Sequence, residues 1–246
     1  MHKITALWAI PRSTSTAFEW MMRQRGDLDC LHEPFGEAWY QGEAPLWPRF
    51  KSGDLTTPGL TLESVWENIQ ARARKAPIFL KDFPHYINHM WDDDFLSNFI
   101  HAFLIRDPAK TITSIYHRWP DFDEAEVGFP EQRALFDLLW ALNGSPPPVI
   151  DSDDLLEDPA GMTAAFCSAV DLPFIPEALS WAPGADPSEF SWWDGGIFHH
   201  NLAKSTVLTA QKRSYVEISK APDRVQNVHR RMKPHYDRLY VHRLKI

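Results

Sequence analysis

Residues 3–22 read KITALWAIPRSTSTAFEWMM, and the fold follows from how this stretch divides. Lys3 to Ile10 is a short apolar run with β-branched residues, ended by Pro11, and predicts a buried strand. Ser13, Thr14, Ser15 and Thr16 come next, and Ala17 to Met22 then reads as a helix with a hydroxyl N-cap. A loop leading from a strand into a helix exposes backbone N–H groups and the positive end of the helix dipole, which together suit an anion. The hydroxyls of residues 13–16 add donors, and Arg12 adds a fixed charge on a planar fork of N–H groups. The ATPase loop, Gly-x-x-x-x-Gly-Lys-Ser/Thr, is missing. A serine-rich helix cap fits the same residues, so the loop alone leaves both readings open.

The alternation continues outward. Leu28 to His32, Pro77 to Leu80, Ile100 to Ile105 and Val149-Ile150 read as further short strands. Leu62, Val65, Trp66 and Ile69 form one apolar helical stripe behind the cap residue Thr61. Pro108 opens a helix through about Tyr116, another runs from Pro130 to Leu142, and Met162 to Val170 gives a further amphipathic helix. Residues 41–60 are rich in Pro and Gly and read as a loop. Residues 173–210, rich in Pro, Gly and Trp, read as an irregular lid. The tail, about 212–246, reads as helical with a restart at Pro234. Strands alternating with helices predict an α/β protein whose mostly parallel sheet has helices on both faces. No linker composition divides the chain, so residues 1–246 are expected to form one domain.

Composition narrows the function. The chain has 246 residues and a formal net charge of −8. That balance argues against a nucleic-acid or anionic-membrane coat, which is normally basic. The charge is split: residues 204–246 hold eleven Lys/Arg against three Asp/Glu, and the preceding residues hold fourteen against thirty. The basic tail is therefore a candidate clasp, either over a bound anion or over the acidic body. Two cysteines, Cys30 and Cys167, exclude a disulfide framework or cysteine-rich zinc site and point to a reducing, cytoplasmic setting. No apolar run is long enough to span a membrane, and the apolar start lacks the form of a signal peptide. His199-His200 lacks the flanking ligands of a metal site, so no metal is expected. The composition does not address oligomeric state.

A second anion signal lies downstream. Arg106 ends the fourth strand, and Ser114 follows eight residues later in the next helix. That spacing puts Ser114 about two turns along, facing back toward Arg106. An ion pair at Arg106 and an ordinary helix-face role for Ser114 remain open. Taken with Pro11-Arg12-Ser13-Thr14-Ser15-Thr16, the pattern resembles the sulfotransferases that use 3′-phosphoadenosine 5′-phosphosulfate (PAPS). Their loop reads Pro-(Lys/Arg)-Ser-Gly-(Thr/Ser)-Thr, and Thr14 departs from it where Gly is usual. The acidic segment Val149 to Pro159 followed by a helix also resembles this family. The likeness spans roughly residues 3–175 and points to a bacterial and plant branch often labelled aminotransferase-like, although no lysine here has a context marking a Schiff base.

The resemblance implies a P-loop-type parallel sheet of four to five strands. It implies PAPS as co-substrate and adenosine 3′,5′-bisphosphate (PAP) as product, held by Arg12, Ser13, Thr14, Ser15, Thr16, Arg106 and Ser114. It implies transfer of a sulfuryl group to a hydroxyl or amine of a small-molecule or carbohydrate-like acceptor. Arg12 and Lys81 would stabilise transferred charge; Lys81 follows the third strand, where relatives carry a lysine. The family's histidine position is occupied by Phe83. Glu33 is therefore the first candidate base, in His32-Glu33-Pro34-Phe35, which resembles the Glu-Pro segment of carbohydrate sulfotransferases. Pro34 restricts Glu33 to an extended conformation at the strand's carboxyl edge, where ligands of open α/β sheets collect. His85 and Asp82 stand behind it. Lys204 and Lys212 are weaker candidate contacts to the nucleotide. Trp39-Tyr40, Trp91, Trp119 and Trp192-Trp193 suit either a ring-stacking acceptor pocket or packing. Two other readings are a nucleotide-binding phosphoryl transferase and a catalytically silent module that binds PAP or a phospho-ligand.

Overall fold

The structure is a computed structural model and describes residues 2–184, 204–210 and 215–246. Five strands, β1 Ile4–Trp8, β2 Asp29–His32, β3 Ile78–Asp82, β4 Phe99–Ile105 and β5 Val149–Asp151, form one sheet in the order β2-β3-β1-β4-β5. Every pairing is parallel. All five residues of β1 and of β3 are buried. Successive strand residues point to opposite faces, so both faces of the sheet centre are covered, as a parallel sheet requires. The first strand is thus the central one, flanked by β3 and β4, and its carboxyl end opens into the loop quoted above.

The helices are α1 Ser15–Arg23, α2 Gly36–Gln41, α3 Leu62–Ala73, α4 Asp93–Leu96, α5 Pro108–Arg118, α6 Phe129–Asn143, α7 Ser152–Glu157, α8 Pro159–Ala169 and a C-terminal helix Asp223–Tyr240. Thr61 caps α3 in a reciprocal box with Ser64, and Asp107 caps α5 through the N–H groups of Ala109 and Lys110. These local bonds explain why the starts of both helices were legible. The acidic segment after β5 forms a helix of its own: Asp151 caps α7 and Asp158 caps α8. Gln132 of α6, buried, donates to the carbonyls of Trp8 and Leu104, so it ties β1 to β4 at the site edge.

The C-terminal helix corrects the expected restart at Pro234, because it runs through that residue. A proline inside a helix costs roughly 3 kcal/mol. Val225, Val228, Met232, Tyr236 and Leu239 offset it by burying one continuous stripe. The same helix answers the charge split. Arg231 pairs with Glu124, Arg238 with Asp137 and Arg243 with Asp154, and Arg224 donates to the carbonyls of Pro120 and Phe122. This part of the basic tail clasps the acidic body. Lys212 and the part of the expected lid spanning residues 185–203, with Trp192-Trp193 and His199-His200, lie outside the described residues.

Candidate active site

The loop after β1 is held in an unusual shape. Arg12 and Thr14 have φ of 63° and 73°, the left-handed region that non-glycine residues rarely enter. Thr14 is the N-cap of α1 and makes no side-chain cap bond. A glycine would adopt this backbone without strain, and the threonine side chain is tolerated at a cost of about 1–2 kcal/mol. Three ties hold the loop. Ser13 Oγ donates to the Ile10 carbonyl at 2.7 Å, Ser152 Oγ donates to the Ser13 carbonyl, and Arg106 donates to the Arg12 carbonyl at 2.5 Å. Replacing Thr14 by Gly relieves the strain but frees the unfolded chain, by about 0.5–1 kcal/mol. We expect Thr14→Gly to raise the melting temperature by about 1–4 °C with PAP binding retained. A lower melting temperature in differential scanning fluorimetry would show that the hydroxyl contributes more than the strain costs.

The loop forms one wall of a cavity of about 560 Å3, a size usual for small-ligand sites. Arg12, Ser13, Thr14, Ser15, Thr16, Glu33 and Arg106 all line it. Ser13 spends its hydroxyl on the loop itself, so it presents backbone. Ser114 and Lys81 are buried just behind the wall. Arg12 Nε donates to Ser114 Oγ at 3.1 Å, so Ser114 reaches the cavity through Arg12. Lys81, with no solvent exposure, pairs its ammonium with Glu33 and lies 5.1 Å from the centre of the Phe83 ring. Phe83, at the position where the resemblance implies a histidine, thus packs against the lysine. The turn after β2 differs from the extended form expected before Pro34: Glu33 has φ of 43° and its N–H donates to the Lys81 carbonyl.

The two candidates behind Glu33 are not brought to the cavity. Asp82 is buried and accepts the N–H groups of Phe35 and Phe83. Burial pushes its carboxyl up to about 8 against those two donors. Its geometry makes it a brace for the Glu33-Pro34 turn. His85 is packed among Trp39, Phe83 and Tyr86, and neither ring nitrogen has a hydrogen-bond partner. Burial lowers its pKa to about 3. An unfolded histidine titrates near 6.5, so between those values the unfolded chain binds a proton that the native chain does not. Stability therefore falls as pH drops below about 6.5. His101, lowered by burial to about 4, acts with the same sign. His85→Leu should reduce the stability lost between pH 7 and pH 5 by roughly 2 kcal/mol, read from urea midpoints. Equal losses in both proteins would refute this.

Several wall residues escaped sequence reasoning. Lys110 lines the cavity on the Arg106 side, paired with Asp153 at 2.7 Å. Tyr40, Tyr86, Trp119 and Phe122 also line it, as do Arg49 and Glu126, which pair at 2.9 Å. Burial holds the Tyr40 and Tyr86 hydroxyls well above their ordinary range, so both are hydrogen-bonding groups rather than bases. Of the tryptophans named from sequence, Trp119 lines the cavity; Trp39 packs in the core and Trp91 lies off the wall. Lys204 is exposed and off the wall, whereas Ser205, Val207 to Ala210 and Tyr215 to Ile218 close over one side.

A loop leading from a strand into a helix, a second arginine tied to it and the Glu33 carboxylate thus line one cavity. The chain belongs to the sulfotransferase family: the model of a sulfotransferase domain matches residues 2–227. It resembles the sulfotransferase domain from the curacin biosynthetic pathway at 14% identity, TM-score 0.54, covering 96% of this chain and 98% of that one. It resembles the sulfotransferase domain of the Synechococcus PCC 7002 olefin synthase at 16% identity, TM-score 0.56, covering 96% and 95%. These two likenesses concern the fold. A curated relative, the branched-chain-amino-acid aminotransferase-like protein 2 of Arabidopsis thaliana, is 27% identical over 209 residues, 84% of this chain and 36% of that protein. The chain thus spans about a third of that relative's length. Among the described residues, no helix is long and apolar enough to cross a membrane.

Proposed function

We propose that this sulfotransferase moves a sulfuryl group from PAPS to a hydroxyl or amine of a small-molecule or carbohydrate-like acceptor. One observation carries the reading: Arg106 grips the Arg12 carbonyl at 2.5 Å, which joins the loop at the α1 N-terminus and the end of β4 into one anion-binding wall. The residues present fit a donor with two anionic ends. The backbone of Ser13 to Thr16, with Arg12, would hold the 5′-phosphosulfate; Arg106 would hold the 3′-phosphate beside Ser114, which accepts from Arg12 Nε and so links the two ends. Lys110 adds a further cation at that wall.

The donor supplies an activated sulfuryl group whose loose transfer state, by analogy with phosphoryl transfer, is governed by positioning and charge stabilisation. Arg12 and Lys81 neutralise charge gathering on the leaving phosphate, Lys81 turning to it from Glu33. Glu33 takes the proton of the acceptor. The aromatic part of the cavity, Tyr40, Tyr86, Trp119 and Phe122, receives the acceptor, and its rings suit a flat apolar face. The test is a panel of phenols, alcohols, amines and sugars incubated with sulfur-35-labelled PAPS. Labelled acceptor supports the reading. PAP binding with no labelled product from any acceptor would instead support the silent binding module, and Mg-dependent ATP binding in place of PAP the phosphoryl transferase.

A further inference from the structure

We propose that Glu19 and His32 form a proton relay behind Glu33, in which His32 Nε2 receives the acceptor's proton from Glu33 and the Glu19 carboxylate holds the resulting imidazolium. This rests on the reading of Glu33 as the base. His32 is the last residue of β2, and it lines the cavity beside Glu33. The left-handed backbone at Glu33 ends the alternation of the strand, and Nε2 of His32 lies 3.7 Å from Oε1 of Glu33. On its other side, Nδ1 of His32 lies 2.5 Å from Oε2 of Glu19. Glu19 has no solvent exposure and is gripped from behind by Arg23 Nε at 2.6 Å.

Glu19 occupies a buried position of α1 beside Phe18, Met21 and Met22. A carboxylate there is costly unless paired. Burial raises its pKa, but the charge and hydrogen bond of His32, with Arg23 and Lys81, reverse that and bring it to about 2. Paired with Arg23 as well, the Glu19 carboxylate only accepts, so in the neutral ring of His32 Nδ1 carries the proton and Nε2 faces Glu33. A base whose ring is oriented by a buried carboxylate is the arrangement by which hydrolases stabilise imidazolium.

The balance is simple. As the acceptor oxygen (or nitrogen) bonds to sulfur, the sulfur–oxygen bond to the 5′-phosphate breaks and its electron pair leaves with the nucleotide. The acceptor's proton passes to the Glu33 carboxylate, then to Nε2 of His32, and to solvent after product leaves. The charged groups facing His32 are Glu19 and Arg23 from α1, Glu33 beyond β2 and Lys81 from β3; Cys30, on its own strand, stands near Glu19, and Asp82 near Glu33.

Nitrogen-15 NMR of histidine-labelled full-length protein with PAP reads this without turnover. We expect the Nδ1–H tautomer for neutral His32, because Nδ1 meets the Glu19 carboxylate, and a displaced Nε2 resonance in Glu33→Gln, because Nε2 faces Glu33. The Nε2–H tautomer, or an Nε2 resonance unmoved by Glu33→Gln, would overturn the relay. His32→Asn keeps a donor where Nδ1 meets Glu19, so a merely structural histidine predicts normal turnover. The relay predicts a loss of about 10²-fold, with PAP affinity unchanged and no further loss when combined with Glu33→Gln. If Glu33→Gln leaves turnover intact, the base assignment fails; if it slows turnover and His32→Asn does not, the relay alone fails.

Discussion

Replacing Glu33 by Gln is expected to lower sulfuryl-transfer turnover by about 10²- to 10⁴-fold while leaving folding and PAP binding nearly intact. Gln keeps the shape of the side chain, and its carbonyl still accepts the ammonium of Lys81. What is lost is the ability to take a proton. Glu33→Ala is a different experiment. It strips the partner from Lys81, which has no solvent exposure, and leaves a buried charge uncompensated. Breaking a buried pair in this way costs about 3–5 kcal/mol, so the alanine variant should lose stability as well as activity. The two are separated by measuring turnover with labelled PAPS beside urea unfolding. Normal turnover in Glu33→Gln would remove Glu33 from the chemistry.

Arg106→Ala is expected to weaken PAP binding by at least about 30-fold, since truncating one partner of a buried, hydrogen-bonded charge pair costs about 2–5 kcal/mol. The guanidinium has two tasks. It faces the cavity as a cation, and it holds the Arg12 carbonyl at 2.5 Å. With the side chain gone, Arg12 and Thr14 keep their left-handed backbone with one tie fewer, so the cradle loses both charge and shape. Arg106→Lys restores the charge without the planar fork and should fall between wild type and Ala. Titration calorimetry with PAP measures all three. Equal affinity in wild type and Arg106→Ala would show that the second arginine does not hold the nucleotide.

The fold was legible where local chemistry writes it down. An apolar run closed by Pro11, the hydroxyls at the start of α1, the Thr61–Ser64 box and Asp107-Pro108 each mark an end of an element by its own hydrogen bonds or its missing N–H. The short helices α2, α4 and α7 were not read, because four to six residues are too few to show a period. Pro234 misled for the opposite reason: a strong local signal was overruled by five buried residues on the helix face.

The site divides the same way. Arg12 to Thr16 and Arg106 stand in recognisable strings, so they could be found. Glu33 could be found from its place after a strand and before a proline, but its pairing with Lys81 could not. The Glu19–His32 contact joins a helix face to a strand end, thirteen residues apart in sequence, and no local pattern records it. A glutamate on the apolar face of an amphipathic helix was the available signal. Arg49 comes from the connection between β2 and β3, Lys110 and Glu126 from two parts of the connection between β4 and β5, and they share one cavity only because the sheet order brings these connections together.

Whether this cavity is a PAPS site is decided by an equilibrium titration of the wild-type protein with PAP in the presence of EDTA. We expect saturable one-to-one binding, no requirement for Mg²⁺, and no displacement by ATP at matched concentration. No binding of PAP, or binding of ATP–Mg in its place, would contradict it.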